Sequence, residues 1–463
     1  MPGAFSVEGR RVTVAGAARS GIAASQLLIR RGARVVLSEA REGFREADAL
    51  ARMGVELELG GHKAETFARA DLVVLSPGVP ADQPAVQAAR QRGVDVIGEL
   101  ELASRFARGR IVAITGTKGK STTTELTGRM LEASGHIVTI GGNIGKPFSA
   151  QVDESTADTL HVVEASSFQL EQIESFHPWI AVMLNFSPDH LDRHPSVDAY
   201  AAAKARIFEN QQAGDWAVVN GDDPFVVECA KGSRAALRLF ARKTSIAEGT
   251  AIEGGWIVSR QPSRTERLVP LDAIHLLGPH LVDDVMAAAT VAEIAGGAPA
   301  AMTAAVEAFG GLEHAMELVE TIGGVRFVND SKATNVDAAL HSIESFDSGV
   351  VAIMGGRFKG GDLRLLREPL ARRAKAVVAI GESRALFRDA FAGAVPVNEA
   401  ASLEEAVDMA FDRAKPSGVV LLAPACASFD MFSDYAARGR AFKDAVQELG
   451  TRNEKWGGRQ PGP

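Results

Sequence analysis

The run Ile111-Val-Ala-Ile-Thr-Gly-Thr-Lys-Gly-Lys-Ser-Thr-Thr-Thr124 carries the most specific chemistry in this chain. A β-branched apolar stretch leads into a glycine turn, then Lys120, then Ser121 and Thr122, then helix-forming sequence. That is the order of strand, phosphate loop and helix. Amide groups across Gly116, Thr117, Lys118, Gly119 and Lys120 can point at phosphate oxygens, and the start of a helix favours the same negative charge. Lys120 would set a cation on the phosphates, and Ser121 or Thr122 a hydroxyl on Mg²⁺. The full pattern G-x-x-x-x-G-K-[ST] opens with glycine, and Ile114 stands there instead. A glycine-rich turn before a helix, without a ligand, is therefore the competing reading.

Other polar residues fall where apolar strands end, which is where open α/β sheets collect ligands. Glu164 closes Thr159-Leu-His-Val-Val-Glu164, and a carboxylate beside a triphosphate suits Mg²⁺. His190 lies in Ser187-Pro-Asp-His-Leu-Asp-Arg193, as a metal or phosphate ligand or as a hydrogen-bonded loop histidine. Asn143, in Gly141-Gly-Asn-Ile-Gly145, reads on its own as a turn asparagine. Lys204 reads on its own as a surface lysine of a helical segment. Buried near cations, it would lose its proton easily and become reactive toward CO₂. Three further strand ends open into polar or glycine-rich sequence: Asn329–Asn335, Met354–Asp362 and Ala423–Phe432. Lys332, Thr334, Lys359 and Ser428 there offer cations and hydroxyls to a small acidic substrate, while helix capping is the structural alternative for each serine or aspartate.

The elements that must position these groups repeat a strand-then-helix rhythm in three blocks. The first has strands at Arg11–Gly16, Ala33–Ser38 and Leu72–Leu75, with a helix at Gly21–Arg30. This is a β-α-β pattern with a parallel sheet. Its loop Gly16–Gly21 has Ala18 where G-x-G-x-x-G has its middle glycine, and Glu39 stands where a ribose-binding acid would sit. A nucleotide-like ligand and a ligand-free Rossmann-like domain both stay open, and an NAD reading is weak. The second block continues with strands at Thr159–Glu164, Ile180–Leu184 and Trp216–Asn220. The third has strands at Val325–Val328, Val350–Met354, Ala376–Ile380 and Val419–Leu422. The expected architecture is α/β in three domains. Residues 1–98 form a Rossmann-like domain, 99–311 a central P-loop ATPase-type domain with a mostly parallel sheet, and 312–463 a second Rossmann-like domain. The polar, Gly- and Pro-bearing tail from about 451 to 463 is expected to be disordered.

Composition excludes several classes. Among 463 residues there are 50 Lys and Arg against 58 Asp and Glu, a net charge of −8, with no basic block to attract nucleic acid. Two cysteines, Cys229 and Cys426, are too few for a disulfide framework and suit a reducing compartment. No signal peptide and no apolar run long enough for a membrane span is read, so the expected location is cytoplasmic.

At this point the motifs resemble those of the Mur ligases, over about residues 8 to 446. The shared signals are Gly116–Thr122, Gly141–Gly145, Glu164-Ala-Ser-Ser-Phe-Gln-Leu170, Asp189-His-Leu-Asp-Arg193 and Lys204. Asp330-Ser-Lys-Ala-Thr-Asn335 and Cys426-Ala-Ser-Phe-Asp430, with Phe432 and Arg438-Gly439, resemble the members that add D-glutamate. The resemblance implies that ATP phosphorylates the carboxylate of UDP-N-acetylmuramoyl-L-alanine and that the amine of D-glutamate displaces the phosphate, in peptidoglycan precursor synthesis. It implies Lys120 on the β- and γ-phosphates, and Ser121 or Thr122 with Glu164 on one Mg²⁺. It implies His190 and a carbamylated Lys204 on a second. Catalysis would rest on Lys120, Glu164, His190 and Lys204. Arg19, Ser20, Arg41 and Gly78 would receive the UDP group, and Asn143 and His190 would face the muramoyl-alanine end. Lys332, Thr334, Lys359, Ser428 and Phe432 would receive D-glutamate. A monomer is expected, closing its three domains around the reactants.

The chain also departs from the family. Its usual Gly-x-His-Asn-x-x-Asn stretch reads Gly278-Pro-His-Leu-Val-Asp-Asp284, and its usual His-Arg pair reads His314-Ala315. A cation is lost and an anion gained beside the polyphosphate, which predicts weaker ATP binding unless another cation such as Arg357 compensates. The alternatives are a Mur-type ligase for another amino acid and a catalytically weak nucleotide-sugar-binding homologue.

Overall fold

The structure is a computed structural model that describes residues 5–189, 193–274 and 279–457. It contains three sheets. The first is wholly parallel. Its strands are β1 (Arg11–Ala15), β2 (Arg34–Glu39), β3 (Glu56–Leu59), β4 (Leu72–Leu75) and β5 (Asp95–Gly98), in the order β3-β2-β1-β4-β5. Val12, Val14, Leu37, Leu72 and Val74 are buried on it, and the helix Arg19–Arg30 covers it with Ala24 and Leu28. Apolar burial on this scale is what overcomes the entropy of ordering such short strands.

The second sheet contains β6 (Arg110–Thr115), β7 (Ile137–Gly142), β8 (Thr159–Glu164), β9 (Ile180–Met183), β10 (Trp216–Asn220) and β11 (Ala236–Phe240). It continues through β12 (Gly249–Glu253), β13 (Trp256–Gln261) and β14 (Arg264–Pro270). The order is β14-β13-β12-β11-β10-β9-β6-β8-β7, parallel from β7 to β12 and antiparallel through β13 and β14. β6 therefore runs between β8 and β9, and the loops after these three strands leave the sheet at the same edge.

The third sheet contains β15 (Glu317–Ile322), β16 (Val325–Asn329), β17 (Val350–Gly355), β18 (Ala374–Ile380), β19 (Val397–Glu399) and β20 (Gly418–Leu422). Its order is β15-β16-β20-β17-β18-β19, and only β15 is antiparallel to its neighbour. β16, β20 and β17 are adjacent, so the three polar loops noted in the sequence leave the sheet side by side.

The chain forms two compact units. The first holds the first two sheets, joined by polar contacts, one buried and one exposed. Glu101, fully buried in the helix Glu99–Phe106, accepts the amides of Glu174, Ser175 and Phe176 and pairs with Arg105. Arg30 and Arg31 both pair with Asp153. The second unit carries the third sheet with two core layers of its own.

The expected disordered tail needs correction over its first part. The helix Tyr435–Gly457 continues through Thr451, and Arg452 pairs with Asp408. Thr451–Trp456 contains no proline or glycine, so nothing in it stops a helix already growing from Tyr435. The remainder, 458–463, lies outside the described residues.

Candidate active site

β6 ends at Thr115, and the loop to the next helix is short. Gly116 and Gly119 both take positive φ, 153° and 81°, and the helix Lys120–Ala133 starts immediately after. Ile114 is a strand residue paired with Glu164 of β8 and Val182 of β9. The turn begins two residues later than the longer pattern assumes, so no glycine is needed at 114. Lys120 folds back along the loop, with Nζ donating to the carbonyls of Gly116 at 3.0 Å and Thr117 at 2.9 Å.

Not all of the expected amides are free. The Thr117 and Lys118 amides donate to Asn185 Oδ1 at 3.1 and 2.9 Å, and Asn185 returns a bond from Nδ2 to the Lys118 carbonyl. Asn185, just beyond β9, thus shapes the first half of the loop. The sequence reading passed over it, although the strand-end rule that selected Glu164 applies to it equally.

Glu164 is 1% exposed and ends β8 beside this loop. Ser121 Oγ donates to its Oε2 at 2.7 Å, and Asn143 Nδ2 donates to its Oε1 at 2.7 Å. The Asn143 amide also reaches the Glu164 carbonyl at 2.9 Å. Asn143 is therefore more than a turn former: it steers the carboxylate. A hydroxyl and a carboxylate converging at hydrogen-bond distance are hard oxygen donors of the kind Mg²⁺ takes. Thr122 stands one residue further along the same helix, half-buried. Among the described residues no cluster of three His, Cys, Asp or Glu forms a metal cage. His190 lies outside the described residues.

Lys204 is not a surface residue. It is 2% exposed, and its Nζ donates to the Gly116 carbonyl at 2.7 Å and lies 4.7 Å from the Tyr200 ring centroid. Burial, reinforced by the Lys120 cation, pushes its pKa down to about 6 against the opposing pull of Asp189 and Glu164. The phosphate loop, Ser121, Glu164, Asn143 and Lys204 are thus brought together.

The first sheet presents its own loops. Glu39 does not project freely toward a ribose. Its carboxylate holds Arg41 Nε at 3.0 Å and the Ala17 amide at 2.6 Å, and the Arg41 guanidinium keeps its pKa down at about 2. Arg41 Nη2 reaches the Ala17 carbonyl, so Glu39 fixes Arg41 and the Ala17–Gly21 turn together. Arg19 extends to the Gly145 carbonyl at 3.0 Å, and Ser20 is half-buried beside it in the same helical turn. Arg193 donates to the Gly78 carbonyl, and both flank a cleft lined by Ser76, Val79, Phe168 and Gln169.

In the second unit, Lys332 and Lys359 are exposed on the loops after β16 and β17. The Thr334 amide bonds the Lys332 carbonyl, while Ser428 is buried with its carbonyl accepting the Phe432 amide. Phe432 is half-buried, with one side packed against the core, and Phe429 of the same loop is 64% exposed. The loops are fastened by Arg438, whose role the sequence did not suggest. Its Nε and Nη2 donate to Ser331 Oγ and O at 2.9 Å, and Nη1 to the Cys426 carbonyl at 3.1 Å. Arg357 pairs with Glu382 at 3.0 Å. Asp284 is buried against Gly119 and Thr123. No helix among the described residues is long and apolar enough to cross a membrane.

Comparison with known proteins matches three stretches of the chain. Residues 10–98 match the family model described as Mur ligase MurD-like, N-terminal domain, residues 114–292 the Mur ligase middle domain, and residues 314–426 the Mur ligase, glutamate ligase domain. The UDP-N-acetylmuramoylalanine–D-glutamate ligase of Acidobacterium capsulatum is 46% identical over 96% of this chain and 97% of its own length. That of Koribacter versatilis is 44% identical over 97% of this chain and 100% of its own. The solved UDP-N-acetylmuramate-alanine ligase of Thermotoga maritima shares the fold, with a TM-score of 0.60 at 18% identity over 95% of this chain and 100% of its own. With three matching domains and full-length relatives at this identity, the chain belongs to the Mur ligase family.

Proposed function

We propose that the chain is an ATP-dependent ligase that joins D-glutamate to UDP-N-acetylmuramoyl-L-alanine in peptidoglycan precursor synthesis. The observation that carries this reading is the 46% identity, over 96% of the chain, with a ligase of that name. The chemistry is consistent with the groups present. A carboxylate acylates amines poorly at neutral pH. Transfer of the γ-phosphoryl group of ATP to a carboxylate oxygen releases ADP and creates a good leaving group. The amine of D-glutamate then attacks the acyl carbon, phosphate departs, the nitrogen loses a proton and an amide remains. The protein must gather three anionic reactants and neutralise their charge.

In this reading Lys120 releases the loop carbonyls and takes the β- and γ-phosphates, with Gly116–Thr122 around the rest of the triphosphate. Ser121 and Glu164 would hold one Mg²⁺; His190 and a carbamylated Lys204 would hold a second. The ions supply positive charge against the transferring phosphoryl group. Lys204, with its pKa pushed down to about 6, holds much of its amine in the neutral form that can add CO₂. Arg19, Ser20, Arg41 and Gly78 would receive the UDP group, and Asn143 the muramoyl-alanine end. Lys332, Thr334, Lys359, Ser428 and Phe432 would receive D-glutamate. With every reactant served by one chain, we place the reaction in a cytoplasmic monomer.

The test is phosphate release from ATP with purified protein, Mg²⁺, bicarbonate, UDP-N-acetylmuramoyl-L-alanine and a panel of amino acids. Release that depends on D-glutamate and yields the amide is expected. Release with a different amino acid only, or with none, sinks the reading.

A further inference from the structure

Asp284 lies in the helix Pro279–Ile294 and is 4% exposed. A methyl group on Gly119 would meet its Oδ1 at 2.1 Å and its Cγ at 3.0 Å, so the carboxyl group rests on the residue that precedes Lys120. Thr123 Oγ1, from the first turn of the phosphate-loop helix, donates to Oδ1 at 3.3 Å. Oδ2 is buried with no hydrogen-bond partner among the described residues. A buried ionised carboxylate wants donors on both oxygens, and one long bond does not replace the water it has lost.

Among the described residues, the charged groups that bear on Asp284 are Asp283 and Lys120. Asp283, the preceding residue, is an anion paired with Arg242 at 2.7 Å. Lys120 approaches from the loop. Burial dominates, Asp283 adds to it, and Lys120 and the Thr123 bond oppose it, so the Asp284 pKa stands well above the usual carboxylate range. A polyphosphate in the loop would add negative charge and draw Lys120 toward itself. Both changes disfavour a carboxylate at 284 further.

We propose that Asp284 serves the nucleotide site as a neutral carboxylic acid, its proton held on Oδ2 beside the phosphate loop, so that ATP binding and protonation of Asp284 are linked. This rests on the ATP reading of the loop. The sign comes from the charge: below its titration the acid is neutral, and as pH rises through it the loop acquires an anion and polyphosphate affinity falls. The limiting slope for one linked proton is about tenfold in affinity per pH unit.

The experiment is the dissociation constant of Mg-ATP alone, by titration calorimetry between pH 6 and 9.5, for wild type and Asp284→Asn. The amide has nearly the same shape, is neutral throughout and carries a donor. Titration of ATP itself affects both proteins alike, so the readout is the ratio of the two constants. The ratio of wild type to variant is expected to rise with pH, reaching about tenfold once wild type is a full pH unit beyond its titration. Asp284→Ser, also neutral, is measured alongside in case the asparagine variant does not fold. A ratio that stays constant at every pH while both proteins bind overturns the inference and leaves the nucleotide reading intact. Folded proteins that bind no Mg-ATP at any pH overturn the nucleotide reading, and the inference with it.

Discussion

Glu164 divides its carboxylate between two donors, Ser121 on Oε2 and Asn143 on Oε1. Glu164→Gln keeps the volume but removes the charge, and turns one of two acceptor oxygens into a donor facing a donor. If the pair with Ser121 receives Mg²⁺, turnover should fall by roughly 10²–10³-fold, in the range seen when one charge-stabilising group is lost. The Mg²⁺ concentration for half-maximal rate should rise at the same time. Rates measured across a Mg²⁺ series decide it, and a variant with unchanged Mg²⁺ dependence would remove Glu164 from the metal site. At this scale the sequence was partly legible. Lys120, Ser121 and Glu164 stand out as candidates because each ends or follows an apolar strand in a pattern with a mechanism. Lys204 was not legible as buried, because Ala201, Ala202 and Ala203 fit either face of a helix. The resemblance put an acid at 284 beside the polyphosphate, but its burial against Gly119, and the grip of Arg438 on Ser331, are visible only in the fold.

Between strand β6 and its helix, Gly119 carries two constraints that can be separated. Its φ of +81° strains any L side chain, and the space beside its Cα is filled by Asp284. Gly135 has a similar φ of +87° with nothing within 4 Å. Gly135→Ala should therefore report positive-φ strain alone, about 1–2 kcal/mol. Gly119→Ala should lose about 1–3 kcal/mol more through overpacking, and should weaken Mg-ATP binding as the loop is displaced. Urea unfolding of the two variants makes the comparison, and equal losses would mean that Asp284 yields freely. The strands themselves were legible where they are buried on both faces: β8 and β10 match their sequence expectation end to end. β7, β11, β12 and the antiparallel β13 and β14 were passed over. In β7, an edge strand, and in β11, inside the sheet, Ile137, Leu237 and their neighbours are exposed or half-exposed, so no continuously buried apolar run marks either strand.

Each compact unit of the whole molecule keeps a buried acid whose titration should show in stability. In the second unit it is Asp330, in the loop after β16. Burial raises its pKa to about 6, against the Ser342 hydroxyl and Lys332, which lower it. The folded state therefore holds a proton that the unfolded chain, near pKa 4, has already released. Between about pH 4 and pH 6 folding takes up that proton, so this group's contribution to stability is full at the acid end and is lost as pH rises through the window. Asp330→Asn cannot titrate, yet its amide oxygen still accepts from Ser342. The variant should gain on wild type progressively from pH 4 to 6, by on the order of 1–3 kcal/mol, and the difference should then stay flat to pH 8. Taking the difference between the two proteins removes every other titrating group, including those of the first unit. Denaturant midpoints across that range give the curve, and a constant difference would mean that Asp330 titrates as an ordinary carboxylate. The effect belongs to the second unit because Asp330 and Ser342 both lie there, and its core layers have to stay closed for the acid to stay buried.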